Sequence, residues 1–252
     1  MELTPIAIET VRPPKDDLLS KIRASSLTLK DHDVIAISSK VVAIGQGRCV
    51  PKEGVDQDNL IQQEADLYLE RSTVPGGFVM HTLKNGTLIP NAGIDPFGEH
   101  YVLWPENPKQ TAEKLLAWFK EEYECEHLYL ILTDSRSVFL RRGVVGMAVA
   151  WAGFEPVYDN RMRTDLLGNQ SGGSQTNIPD SLAAAAVFVM GEANEGTPLV
   201  RIRNAPYVAQ PQTERKKEFN TFEFPIEEDI FAPFMKNLPW KKGGAQDQPS
   251  GT

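Results

Sequence analysis

The chain of 252 residues is long enough for one large or two small domains, and its 41% hydrophobic and 24% charged content is that of an ordinary globular protein. A net charge of −8 excludes the broad basic face of a general nucleic-acid binder but leaves room for small anionic ligands. No apolar run reaches the roughly 18 residues needed to span a bilayer, MELTPIAIET has no basic signal-peptide start, and Cys49 and Cys125 form no CxxC, so a reduced cytoplasmic protein without membrane association is expected.

Residues 5–11 alternate weakly and predict a first strand, broken by Val11-Arg12-Pro13-Pro14. Residues 15–23 predict a short helix with Leu18, Leu19 and Ile22 on one face and with Asp16 and Asp17 where its dipole favours acids. DVIAIS, residues 33–38, predicts a buried strand ending in Ser38-Ser39-Lys40, where the lysine either reaches a phosphate or is simply solvated. Gly45-Gln46-Gly47-Arg48 predicts a turn, and residues 58–71 a helix with Leu60, Ile61 and Leu67 inward. Residues 78–83 and 87–89 flank Lys84-Asn85-Gly86, and Asn-Gly between apolar runs predicts a hairpin. Its second strand leads into Asn91-Ala92-Gly93-Ile94-Asp95, which puts an acid on a glycine-containing turn. Residues 100–104 predict another strand. Asn107-Pro108-Lys109-Gln110 then predicts a helix start, with Asn as N-cap and Pro in the first position.

The chain is organised around residues 128–154, LYLILTDSRSVFLRRGVVGMAVAWAGF. A short apolar run, residues 128–132, predicts a buried strand that stops at Thr133, Asp134 and Ser135. An acid and two hydroxyls at a strand exit suit a metal or ligand, because α/β sites form at the carboxyl ends of strands. Arg136, Arg141 and Arg142 follow closely, and residues 143–154 are rich in Gly and Ala. The pattern suits an anion handled with a metal; a capped strand end with solvated arginines is the alternative. Residues 155–176 predict a long polar loop holding Arg161, Arg163 and Asp165, of the kind that is often functional. Asn177 caps a helix over residues 181–190 whose four consecutive alanines predict tight packing, and residues 197–203 form a final strand. Residues 205–215 are irregular, 219–225 an edge strand, 227–237 a short helix, and 241–252 disordered. One unit over residues 1–238, of two interleaved subdomains at most, is expected, followed by a disordered tail over 239–252. No GxSxG, GxxxxGK[ST] or GxGxxG occurs.

In order, DVIAISSK with Gly47-Arg48, NAGID, WPENP, LTDS, the Gly/Ala-rich run ending AGF, Asp165-Leu166-Leu167-Gly168 and DSLAAAAVFVMGE make the chain resemble the coenzyme F420-0:gamma-glutamyl ligases over roughly residues 5–204. The resemblance implies an α+β fold of mixed sheets with packed helices and an intertwined homodimer. It also implies an amide-forming ligase that adds L-glutamate to a small cofactor precursor, using GTP (or ATP) and Mg²⁺ or Mn²⁺. It puts metal ligands at Asp95, Asp134, Ser135 and Glu192. Nucleotide contacts fall at Val11, Arg12, Pro13 and Pro14, at Ser39 and Lys40, and at Met190, Gly191 and Glu192. Asp134 is the expected catalytic residue, holding metal against the nucleotide phosphates, and Arg141 or Arg142 either holds a substrate carboxylate or is simply solvated. Relatives usually carry Lys where Ile44 stands, often Asn where Gly98 stands, and FGRPWR after LTDS. Nucleotide and acceptor therefore stay open, with a folate-type acceptor or a cofactor-binding relative without catalysis as alternatives.

Overall fold

Val34, Ile35, Ala36 and Ile37 are all fully buried, which requires cover on both faces of the strand that carries them. The computed structural model, which describes residues 1–161, 163–169, 174–209 and 225–244, provides that cover. In chain order the elements are β1 (Glu2–Ile6), α1 (Leu18–Arg23), β2 (Val34–Ser38), α2 (Ser39–Gln46), β3 (Cys49–Pro51), α3 (Gln57–Glu64), β4 (Leu67–Tyr68), β5 (His81–Lys84), β6 (Thr87–Pro90), β7 (Asp95–Phe97) and β8 (His100–Val102). Then come α4 (Pro108–Glu122), β9 (Tyr129–Ser137), β10 (Val144–Ala152), β11 (Val157–Asp159), β12 (Gln175–Asn177), α5 (Ile178–Met190), β13 (Leu199–Arg203), α6 (Ala232–Met235) and β14 (Lys241–Lys242).

The central sheet has the order β1-β13-β2-β9-β10, and β2 and β9 are its parallel pair. Alternate side chains sort into two layers. Ile35, Ile37, Leu130 and Leu132 meet Leu18, Ile22, Val42, Leu116 and Phe119 from α1, α2 and α4. Val34, Ala36, Tyr129 and Ile131 meet Leu182, Ala183, Ala186 and Val187 of α5 on the other face. The alanines allow the close packing expected of them, and Gly146 on β10 completes it. A Cβ at Gly146 would overlap Ala183 O and the Val187 side chain.

A second region holds the sheets β14-β4-β5-β6 and β3-β8-β7 around Leu60, Ile61, Met80, Ala92, Ile94 and Leu103. Ile89, Trp104 and Met147 join it to the central sheet. Several sheets with packed helices agree with the expected α+β class. No helix among the described residues is long and apolar enough to cross a membrane.

Several boundaries differ from expectation. β1 spans Glu2–Ile6 rather than residues 5–11, because its partner β13 begins at Leu199, opposite Ile6. α1 starts at Leu18 because the Asp17 carboxylate accepts the Ser20 N–H at 3.0 Å and so caps it there. The first half of the turn expected over residues 45–48 is helix, since α2 continues to Gln46, and the chain turns at Gly47, left-handed at φ 78°. α3 ends at Glu64 instead of residue 71, because Leu67 and Tyr68 pair with β5. β9 does not stop at Thr133 but runs to Ser137, held by antiparallel pairing with β10. Asn107 caps α4 without a side-chain hydrogen bond, in a left-handed conformation at φ 45°. Part of the expected 155–176 loop forms the β11–β12 pair. The edge strand expected at residues 219–225 falls outside the described residues but for its last position, and residues 210–215 of the irregular stretch do so too. Lys241 and Lys242, expected to be disordered, pair with Tyr68 and Leu67; residues 245–252 lie outside the described residues.

Candidate active site

A cleft opens at the carboxyl end of β2, where its last residue, Ser38, stands beside Thr133 in the middle of β9. A crevice is left there because β2 ends and its chain turns away from the sheet, while β9 runs on paired only with β10. After β2 the chain turns at once into α2, so the N-terminus of an eight-residue helix faces the cleft. Free backbone N–H groups and the helix dipole favour an anion at that point. Lys40, in the first turn of α2, lines the cleft, and its Nζ lies 2.9 Å from Asp95 Oδ2.

Asp134 lies opposite on β9. Its Oδ2 accepts the Trp104 indole N–H at 2.5 Å and its Oδ1 accepts the Ser135 backbone N–H at 2.8 Å. Burial, then the charge of Asp95, pushes the Asp134 carboxyl up to about 7, against the hydrogen bonds from Trp104 and Ser135 and the charge of Lys40. The Ser135 hydroxyl donates to Glu192 Oε2 at 3.2 Å. Thr133 also borders the cleft, but its hydroxyl is turned inward and donates to Ile37 O at 3.3 Å.

The fold thus brings Val11, Lys40, Asp95, Asp134, Ser135, Met190, Gly191 and Glu192 to one cleft. Other expected positions are elsewhere. Ser39 is buried at the start of α2 and does not line the cleft. Arg12, Pro13 and Pro14 flank the cleft without lining it, and the Arg12 N–H is tied to Asp16 at 2.8 Å. Arg141 sits on the exposed turn between β9 and β10, where its guanidinium donates to Leu140 O at 3.3 Å. The extension of β9 to Ser137 carries that turn away from the cleft of its own chain. Asp95, Asp134 and Glu192 do not converge on one point: among the described residues no three His, Cys, Asp or Glu side chains form a ready metal cage. Asp95 and Asp134 nonetheless share the cleft closely enough for one charge to raise the other's pKa. Such an acid pair, with the Ser135 hydroxyl beside it, fits a hard divalent cation. Mg²⁺ in phosphate sites commonly takes one or two carboxylates and completes its shell from water and substrate oxygens.

Sequence reasoning passed over Trp104, although a buried tryptophan N–H requires an acceptor. It also passed over Glu9, Thr10, Glu195 and Thr197, which line the cleft from irregular segments with no local pattern to mark them.

The sequence model of the F420-0:Gamma-glutamyl ligase family matches residues 6–204. A coenzyme F420:L-glutamate ligase of Methanothermobacter thermautotrophicus is 30% identical over 207 residues, 75% of this chain and 82% of the relative. The protein of the same name from Methanopyrus kandleri is 30% identical over 233 residues, covering 85% and 90%. That from Methanococcus maripaludis strain C7 is 28% identical over 242 residues, covering 88% and 97%.

Proposed function

The chain belongs to the F420-0:gamma-glutamyl ligase family, and from that premise we propose that it joins the amine of L-glutamate to a carboxylate of an F420-0-type cofactor precursor. The observation that carries the reading is the pair Asp95 and Asp134 facing Lys40 and the N-terminus of α2 across one cleft. A carboxylate is a poor electrophile, so the reaction needs a nucleotide, GTP or ATP, to phosphorylate the acceptor. The glutamate amine then displaces phosphate from the acyl phosphate.

The α2 amides and Lys40 bind the nucleotide phosphates, with Lys40 exchanging its contact to Asp95 for phosphate oxygens. Asp95 and Asp134, with Ser135 and Glu192 beside them, hold Mg²⁺ or Mn²⁺. When bound, that cation neutralises charge on the phosphoryl oxygens and keeps donor and acceptor in line. Val11 and residues 190–192 close the cleft on its other side. The same reading includes a cytoplasmic homodimer. Phe139, Leu140, Val144 and Val145 near the β9–β10 turn, and Phe188 on α5, are exposed large apolar side chains that such an interface covers.

The test incubates the full chain with L-glutamate, Mg²⁺ or Mn²⁺, GTP or ATP, and either F420-0 or dihydropteroate. Nucleotide diphosphate release that requires both glutamate and F420-0, with one added glutamyl residue by mass, supports the proposal. Release with dihydropteroate alone moves the acceptor to the folate type. Binding of F420-0 without turnover under every condition supports a non-catalytic binding protein.

A further inference from the structure

The Asp134 carboxylate has a partner that reaches it from the other half of the molecule. Trp104 is 2% exposed, so it cannot touch a ligand in the cleft, yet its indole N–H lies 2.5 Å from Asp134 Oδ2. With the Ser135 N–H on Oδ1, each carboxylate oxygen has one fixed donor. Two donors from different elements lock both the rotation and the tilt of the carboxylate plane. Each oxygen keeps a further lone-pair position for a ligand.

The indole is itself held on several sides. Gly93, at φ +69°, lies against it, and a Cβ there would overlap Trp104 Nε1. The Trp104 carbonyl accepts from Arg48 Nε at 3.3 Å. Lys84 Nζ stands 5.8 Å from the indole centroid and pairs with Glu64 at 2.7 Å, and Glu64 also accepts from Arg48 at 2.8 Å. A cation over the ring draws electron density from it and makes the N–H a stronger donor. Arg48, Glu64 and Lys84 do not line the cleft themselves. The indole they surround is bonded to Asp134, which does.

We propose that Trp104 is a positioning residue that fixes the Asp134 carboxylate for a divalent cation, with Gly93, Lys84, Glu64 and Arg48 holding the indole in place. The proposal rests on the reading of Asp134 as a metal ligand. Donors behind a metal ligand typically change metal affinity by about 10- to 100-fold when removed.

The test is Mn²⁺ binding to the full chain without nucleotide, followed by electron paramagnetic resonance at pH 8. Wild type, Trp104→Phe and Asp134→Asn are compared, with melting curves to confirm that each is folded. Trp104→Phe keeps the ring in the core and deletes the donor; binding weaker by about 10- to 100-fold is expected. Wild type that binds Mn²⁺ with Trp104→Phe its equal overturns the positioning role alone. Wild type that holds no Mn²⁺ overturns the metal reading and the proposal with it. A second measurement stands if Trp104→Phe does not fold. In ¹⁵N spectra of wild type, the Trp104 indole signal is identified by replacing Trp118, Trp151 and Trp240 with Phe one at a time. That signal is expected to move on Mg²⁺ addition more than the other three; a Trp104 signal unmoved at saturating Mg²⁺ overturns the proposal.

Discussion

Asp134 is a buried carboxyl beside a second acid, and its protonation is tied to folding. Its carboxyl is raised to about 7 by burial and by Asp95, above the unfolded value of about 3.9. Between those values the folded chain keeps a proton that the unfolded chain has lost. The wild type therefore loses stability as pH rises from about 4 to about 7, and the cost is full above that. Asp134→Asn removes the cost. Denaturant unfolding without divalent metal should show the variant more stable than wild type at pH 8, by an amount on the order of 1–3 kcal/mol that vanishes toward pH 4. The same substitution should lower glutamate-dependent nucleotide turnover by at least about 10²-fold, the scale of one preorganised electrostatic contact. Equal stability at both pH values would remove the argument from burial. A second residue-scale prediction concerns Gly93. Gly93→Ala combines a left-handed φ with overlap on the indole, so its melting temperature should fall by an amount equivalent to about 2 kcal/mol or more.

At the scale of elements, α2 joins the largest core to the cleft. Val42, Ala43 and Ile44 on it are buried in the core beneath β2, which fixes the direction of its N-terminus. Lys40 is therefore aimed by packing, while its ion pair with Asp95 is itself partly solvated, at 38% and 47% side-chain exposure. A pair so exposed contributes little to folding. Lys40→Met should thus change stability by less than about 1 kcal/mol. It should weaken nucleotide binding by roughly tenfold, the loss of one charge-assisted contact to phosphate. Calorimetric titration of the full chain with GTP and ATP, alongside thermal melts, separates the two effects. Unchanged nucleotide affinity would take Lys40 out of the phosphate site.

For the whole molecule, the open question is what covers its exposed apolar side chains. Leu140 is 97% exposed and Phe188 88%, and Leu140 shares the β9–β10 turn region with exposed Phe139, Val144 and Val145. A homodimer is expected, and sedimentation at micromolar concentration checks it. Leu140→Glu and Phe188→Glu together should shift the population toward monomer, because a charge at a desolvated interface is costly. A wild type that sediments as monomer at all concentrations would refute the dimer.

Much of this was legible in the sequence because it depends on local periodicity. The unbroken apolar runs of β2 and β9, the Asn-Gly hairpin of β5 and β6, the Asn177-capped α5 with its alanines, and the acid Asp95 after a glycine-containing turn all follow from neighbouring residues. Motif order was enough to identify the family. The extent of β9 was not legible, since polar Asp134 and Ser135 remain in a strand only because β10 pairs with them. Nor was the full length of α2, which continues through Gly45 and ends only at Gly47. The Trp104–Asp134 contact spans separate regions, and only tertiary structure decides it: a side chain's hydrogen-bond partner depends on which distant backbones can approach, and here Gly93 permits the approach. The same holds for Arg141, near Asp134 in sequence but on the turn beyond β9, which runs on to Ser137, and not among the residues lining the cleft.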